Sequence, residues 1–127
     1  MEKKTIQTNL APQAIGPYAQ AIETANMLFT SGQLGIDVQT GKLAVGVEAQ
    51  AHCSMKNLGA ILDASGLTYG HVVKATIFMQ DLADFAKVNQ VYASYFDKEF
   101  PARSCVQVAA LPLGGLVEIE CVACRAS

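Results

Sequence analysis

The alternation of apolar and polar positions divides the first half of the chain into two strands and a helix. Residues 18–24 and 27–34 have β character, and a plausible tight turn, Thr24-Ala25-Asn26, separates them. Apolar residues then recur every three or four positions from Val47 to Leu62, until the sequence Ala64-Ser65-Gly66 interrupts the pattern. This spacing predicts an amphipathic helix of about five turns.

The second half of the chain predicts a third strand, a second helix and two final strands. Residues 71–80 form a β-like run that is apolar on both faces. We expect one face of that strand to carry Val73, Ala75, Ile77 and Met79. A helix follows, which Asp81 or Asp84 can cap. Residues 103–110 and 116–125 are the last two strands, with a loop rich in Gly and Pro between them.

The order β-β-α-β-α-β-β predicts an α+β fold in which two helices cover one face of a mostly antiparallel, mixed sheet. We expect residues 1–127 to form a single domain, because the length suits one domain and no linker interrupts the chain. Two helices cover only one face, and the strand at 71–80 is apolar on both. The uncovered face is therefore predicted to pack against other subunits.

Composition supports this expectation and excludes other classes. Charged residues make up 16% of the chain, against about 25% in an average globular protein. The net charge of −2 provides no basic surface for a phosphate backbone, which argues against nucleic acid as a partner. No apolar run reaches the roughly 18–20 residues of a membrane span, and the first residues do not resemble a signal peptide. The sequence therefore predicts a cytoplasmic protein with no membrane partner.

Cysteine and histidine positions favour structural roles. Cys121 and Cys124 form a CxxC motif, but alternation places them on opposite faces of a predicted strand, where they cannot chelate one ion without a bend. Metal or dithiol chemistry stays the less favoured alternative. His52 and His71 lie near no nucleophile motif, so each is interpreted as a surface or half-buried side chain.

Two carboxylates and one arginine are the stronger chemical signal. Glu118 and Glu120 share one face of the last strand, which indicates either a solvated edge or a site. Arg103 follows Pro101 at the start of a strand, and its guanidinium suits a carboxylate ligand. A glutamate nearby could orient or deprotonate water. From the residue types alone, a structural Arg–Glu ion pair remains the favoured interpretation.

Several separated motifs, taken in order, resemble the RidA/YjgF family of small imine deaminases along nearly the whole chain. They are the sequences at 14–18 (AIGPY), 30–33 (TSGQ), 81–85 (DLADF), 88–89 (VN) and, most specifically, 101–123 (PARSCVQVAALPLGGLVEIECVA). The resemblance implies a chorismate-mutase-like fold, a homotrimer and active sites between subunits. It also implies hydrolysis of reactive 2-imino acids, or of their enamine tautomers such as 2-aminoacrylate, to 2-keto acids and ammonia. This reaction requires no metal and no organic cofactor.

The resemblance also implies roles for individual residues. Arg103 would bind the substrate carboxylate, Glu118 would position or activate the attacking water, and the backbone of Cys105 would contact the reacting nitrogen. The remaining wall of the pocket would be shaped by Tyr18, Ser31, Gly32 and Asn89. As isolated motifs these four residues are weak signals, which turn chemistry and solvent exposure explain equally well.

Two alternatives to the deaminase stay open. One is a non-catalytic trimeric protein that binds or senses a small ligand in the same cleft. The other is a translation inhibitor with ribonuclease activity, against which the acidic pI of about 5.6 and the absence of a histidine pair argue. Arg103 separates the first alternative from the deaminase, because an imino acid needs a cation for its carboxylate.

Overall fold

The computed structural model describes residues 2–97 and 99–125. Within these residues the elements, numbered in chain order, are as follows. The strands are β1 (Lys3–Ile6), β2 (Ala21–Thr24), β3 (Met27–Thr30), β4 (Gln33–Leu34), β5 (Ile36–Asp37), β6 (Lys42–Leu43), β7 (Val72–Met79), β8 (Ala102–Gln107) and β9 (Val117–Cys124). The helices are α1 (Val47–Ala64) and α2 (Phe85–Ala93).

The main sheet is mixed and mostly antiparallel, as predicted. Its strands follow the order β1-β2-β3-β9-β7-β8, and β4 pairs with β9 outside this path. Only the β7–β8 pair is parallel among the pairs described, and α2 lies in the crossover that parallel pairing requires. Strands β5 and β6 form a separate hairpin.

The two helices pack on one face of this sheet and enclose the hydrophobic core. Leu58 and Ile61 of α1 are buried against Ile77 of β7 and Ile119 of β9. Burial alternates residue by residue along β9, which shows that this strand has one core face and one more open face. The α+β class, with two helices beside a mixed sheet, is therefore confirmed.

Strand β7 departs from the predicted alternation at its first residues. A bulge shifts the register between Val72 and Lys74, so Val72 is buried while Val73 is exposed. The prediction that Val73 shares a face with Ala75 was therefore wrong, because an extra residue in a strand reverses the alternation on one side of it. The structure also adds β1, which the sequence pattern did not predict, and it interrupts the second predicted strand at Ser31 and Gly32.

The open face of the sheet carries a mixture of apolar and charged side chains. Phe29 and Val106 are exposed there, and Phe78 is half-buried between Val106 on one side and Glu118 on the other. In the described part of the chain, the two helices lie on the other side.

Candidate active site

Arg103 lies on β8 and its side chain is directed toward α2. It pairs with Ala75 of β7, which is buried, so both side chains occupy the helix-covered face. The guanidinium donates a hydrogen bond of 2.6 Å to Oδ1 of Asn89. Its carbon also lies 5.4 Å from the ring centroid of Phe85 and 5.2 Å from that of Tyr92. Cation–π contacts of this kind and one hydrogen bond fix the guanidinium and leave further N–H donors for an anion.

Cys105 lies two residues further along β8, on the same face as Arg103. Its thiol donates to Sδ of Met79 at 3.6 Å. Burial raises the pKa of this thiol, and the opposing effect of Arg103 is smaller. A neutral thiol is a weak nucleophile, so the side chain of Cys105 suits a wall of a site better than an attacking group.

Glu118 occupies the open face of β9, close to the connection between β3 and β4. A Cβ atom added to Gly32 would lie 2.8 Å from Cδ of Glu118, so any other residue at this position would displace the glutamate side chain. Burial raises the pKa of the Glu118 carboxyl, and the charge of Glu120 raises it further. The carboxyl group is therefore closer to the range in which it can exchange a proton with a substrate.

A cleft of about 1000 Å³ opens beside Glu118. Its walls combine the segment between β1 and β2, the β3–β4 connection and the loop before β9. Among the described residues, the lining includes no lysine or arginine. The polar lining includes Asn9, Gln13, Tyr18, Gln20, Ser31, Gln33, Glu118 and Glu120. Three of the predicted site residues, Tyr18, Ser31 and Gly32, thus meet Glu118 at this cleft.

The structure separates the predicted site residues into two groups on opposite faces of the sheet. Arg103, Cys105 and Asn89 are on the helix-covered side, since Arg103 is opposite buried Ala75. Glu118 is opposite Phe78 on the other face. The Arg–Glu ion pair favoured from residue types is therefore not formed within one chain, because register places the two side chains on different faces. Arg103 instead donates a hydrogen bond to the side chain of Asn89, a partner that the residue pattern alone did not predict.

The two cysteines of the CxxC motif and the two histidines form no reactive arrangement in the described residues. Cys121 is buried and Cys124, on the other face of β9, is half-buried. Nδ1 of His52 is 2.8 Å from the hydroxyl of Tyr95, and Nδ1 of His71 accepts from the backbone of Thr68. In the described ranges, no group of three or more His, Cys, Asp or Glu side chains could hold a metal ion. No helix in those ranges combines the length and apolar character needed to cross a membrane.

The sequence pattern assigned no role in a site to three residues that the structure places in these two groups. The spacing of Phe85 and Tyr92 is typical of the apolar face of a helix, yet both rings lie against the guanidinium of Arg103. Gln20 lines the cleft and is almost fully buried. A polar residue within the predicted strand at 18–24 was the one signal that could have identified Gln20.

The fold and the cleft define a small α+β protein with a cavity of ligand size. A family model described as Endoribonuclease L-PSP matches residues 8–125. The chloroplastic Reactive Intermediate Deaminase A of Arabidopsis thaliana is 52% identical over 124 residues, which are 97% of this chain and 66% of that protein. The 2-iminobutanoate/2-iminopropanoate deaminase of Salmonella typhimurium is 50% identical over 125 residues, covering 96% of this chain and 98% of the relative.

Comparison with solved structures indicates the same family as these relatives. The crystal structure of Escherichia coli TdcF with bound serine matches with a TM-score of 0.94 and 47% identity, over 97% of this chain and 99% of that one. The chain therefore belongs to the RidA/YjgF family, which the Endoribonuclease L-PSP model describes. The resemblance drawn from the sequence motifs is confirmed.

Proposed function

We propose that the protein hydrolyses reactive 2-imino acids, such as 2-iminopropanoate and 2-iminobutanoate, to 2-keto acids and ammonia. The observation that carries this proposal is the guanidinium of Arg103, held between two aromatic rings and Asn89 with donors left for a carboxylate. Relatives named as imine deaminases support the same reaction. The serine bound to TdcF has a carboxylate and a nitrogen on the adjacent carbon, a pattern that an imino acid shares.

The active site in this proposal forms between subunits of a homotrimer with a chorismate-mutase-like fold. Each chain would contribute Arg103, Cys105 and Asn89 to one site, and Glu118 with Tyr18, Ser31 and Gly32 to another. The separation of these groups by the sheet supports this arrangement, because a second copy can bring an Arg103 group to a Glu118 group. The exposed Phe29 and Val106 on the open face supply apolar area for the contact.

The reaction needs little beyond orientation and a bound water. Arg103 would bind the substrate carboxylate and thereby place the C=N carbon in the cleft. Glu118 would orient the water or take its proton as the oxygen bonds to that carbon, and the nitrogen would gain a proton. Collapse of the resulting carbinolamine breaks the C–N bond, forms the keto group and releases ammonia. The backbone of Cys105 would contact the nitrogen, and no metal or organic cofactor takes part.

The test is a competition for an imine made in solution. An amino-acid oxidase converts 2-aminobutanoate to 2-iminobutanoate, which semicarbazide traps. The purified protein should lower the initial rate of semicarbazone formation, because it converts the imine to the 2-keto acid, which reacts with semicarbazide more slowly. Arg103→Ala should lose this activity while it remains folded and trimeric by sedimentation. Activity of Arg103→Ala equal to that of the original protein would contradict the carboxylate-binding role.

The same assay tests the alternatives. A protein that binds 2-ketobutanoate but accelerates hydrolysis of no imine would be the non-catalytic binding protein. Ribonuclease activity is disfavoured by the cleft, whose described lining has two carboxylates and no cation for a phosphate backbone. We also propose that residues 1–127 form one domain and that the protein is cytoplasmic, consistent with its four free cysteines.

A further inference from the structure

The segment between β1 and β2, residues 7–20, forms the longest wall of the cleft without helix or strand structure of its own. We call it the arm. It contains Pro12 and Pro17, which have no backbone N–H, so it cannot be stabilised by a regular ladder of hydrogen bonds. Ile15 and Tyr18 lie on it, facing the cleft and largely exposed. Something else must hold this wall in place.

The buried side-chain amide of Gln20 holds the arm in place. Gln20 is 3% exposed, and its Oε1 accepts a hydrogen bond of 2.7 Å from the backbone N–H of Thr8. Its Nε2 donates to the carbonyl oxygens of Pro12 at 2.8 Å, Thr8 at 3.1 Å and Ala11 at 3.5 Å. An amide side chain offers two N–H donors and a separate acceptor oxygen, whereas a hydroxyl offers only one donor and an apolar side chain offers none. The side chain of Gln20 therefore closes the arm into a loop.

The same residue is joined to the floor of the cleft. The carbonyl oxygen of Gln20 accepts a hydrogen bond of 2.9 Å from the backbone N–H of Ser31. The hydroxyl of Ser31 donates to the carbonyl oxygen of Ala19 at 2.6 Å. Gly32, the next residue, is the one that lies against the carboxyl group of Glu118. A short path of hydrogen bonds and chain neighbours thus connects the arm to that carboxyl group.

We propose that Gln20 is a positioning residue for the active site, because its amide fixes the arm and thereby sets Tyr18 relative to Glu118. This inference rests on the proposed imine hydrolysis. Gln20 acts through the wall that it holds. Loss of its hydrogen bonds should therefore weaken substrate positioning without unfolding the sheet, since Ala11 is the one described residue of the arm in the hydrophobic core that β7, β9 and α1 form.

The test uses Gln20→Met, which keeps the length of the side chain and removes its hydrogen bonds. With 2-iminobutanoate made by the oxidase, we expect KM to rise and kcat/KM to fall about tenfold, as displaced substrate-positioning groups do. Hydrogen exchange at the Thr8 amide should become faster, while exchange in β7 and β9 should stay slow. If this variant does not fold, Gln20→Asn, which keeps an amide on a shorter side chain, should give the same kinetic pattern.

Two comparisons separate positioning from general destabilisation. Glu23→Gln removes the 2.7 Å ion pair with Arg125. Glu23 lies on β2, the strand that follows the arm, and does not line the cleft, so this variant should leave KM unchanged. In a Tyr18→Ala background, Gln20→Met should add no further loss, because the ring that it positions is gone.

Each outcome decides a different question. A folded Gln20→Met protein with unchanged KM and kcat would overturn the inference, and so would equal losses with and without Tyr18. Lack of activity in the original protein would instead contradict the proposed function, and the two failures are therefore distinguishable.

Discussion

Arg103 and Glu118 project from opposite faces of one sheet. Arg103 is paired with Ala75 on β7, and Glu118 is paired with Phe78, three residues further along the same strand. An odd separation along a strand reverses the face, so no side-chain rotation can bring both groups to one small substrate within a chain. A site that uses both groups therefore needs two copies of the chain.

Mixing two inactive variants tests this consequence. Arg103→Ala and Glu118→Ala should each lose imine hydrolysis, and co-refolding them in equal amounts should restore part of it. With random assembly, about one quarter of the sites receive both intact side chains. Activity is measured by the semicarbazide competition after sedimentation confirms that trimers have formed again. Complementation that never exceeds the sum of the separate variants would exclude a shared site.

Gly32→Ala should distort the cleft at Glu118. The added Cβ would lie 2.8 Å from Cδ and 3.1 Å from Oε2 of Glu118, so the carboxyl group must move. We expect kcat/KM to fall about 100-fold, since small displacements of reacting groups have effects of this size. Gly70→Ala is the matched control, because its Cβ would have only ordinary contacts and should leave the kinetics unchanged. Equal effects of the two substitutions would show that the contact with Glu118 is unimportant.

The dependence of activity on pH should reveal the interaction between the two carboxylates on β9. Burial, and secondarily Glu120, raise the pKa of Glu118 above 4.5. A glutamate that works in its ionised form loses activity as the pH falls through its pKa, so the acid limb of kcat/KM should lie above pH 4.5. Glu120→Gln removes the like charge and should shift this limb to lower pH.

The stability of the same variant provides an independent readout. A folded-state pKa that is raised means that the contribution of Glu118 to stability is complete at low pH and is lost as the pH rises through that pKa. Glu120→Gln should therefore raise Tm at neutral pH more than it does below pH 4.5. Glu48→Gln, which alters an exposed carboxylate in the first turn of α1, is the control for activity and should leave the acid limb of kcat/KM in place. An acid limb that stays in place in Glu120→Gln would remove Glu118 as the titrating group.

Leu113→Asn should stabilise the protein. Leu113 has φ +61°, in the left-handed region that costs an L-residue with a large side chain roughly 1–2 kcal/mol, and Asn tolerates this conformation better. The leucine is 68% exposed, so little buried apolar surface is lost. We expect a gain of about 0.5–1 kcal/mol in the free energy of unfolding, measured by urea denaturation. Leu10→Asn, at a leucine 67% exposed and without positive φ, should give no gain.

The elements themselves could be predicted from the sequence because their patterns are local. The spacing of apolar residues predicted α1, and the helix ends beside Gly66, whose φ of +72° a glycine adopts without strain. The alternation in β9 placed Glu118 and Glu120 on one face correctly. The motifs around Arg103 indicated the family, and the comparisons confirmed it.

Only the tertiary structure decided how these elements combine. The bulge after Val72 and the pairing of Arg103 with Ala75 depend on hydrogen bonds between strands distant in sequence, which no local pattern specifies. The same is true of Gln20, whose partners lie up to 12 residues away along an irregular segment. Periodicity along a chain determines which residues share a face of one element. The register between elements determines which faces meet, and that register placed the arginine and the glutamate on opposite sides of the sheet.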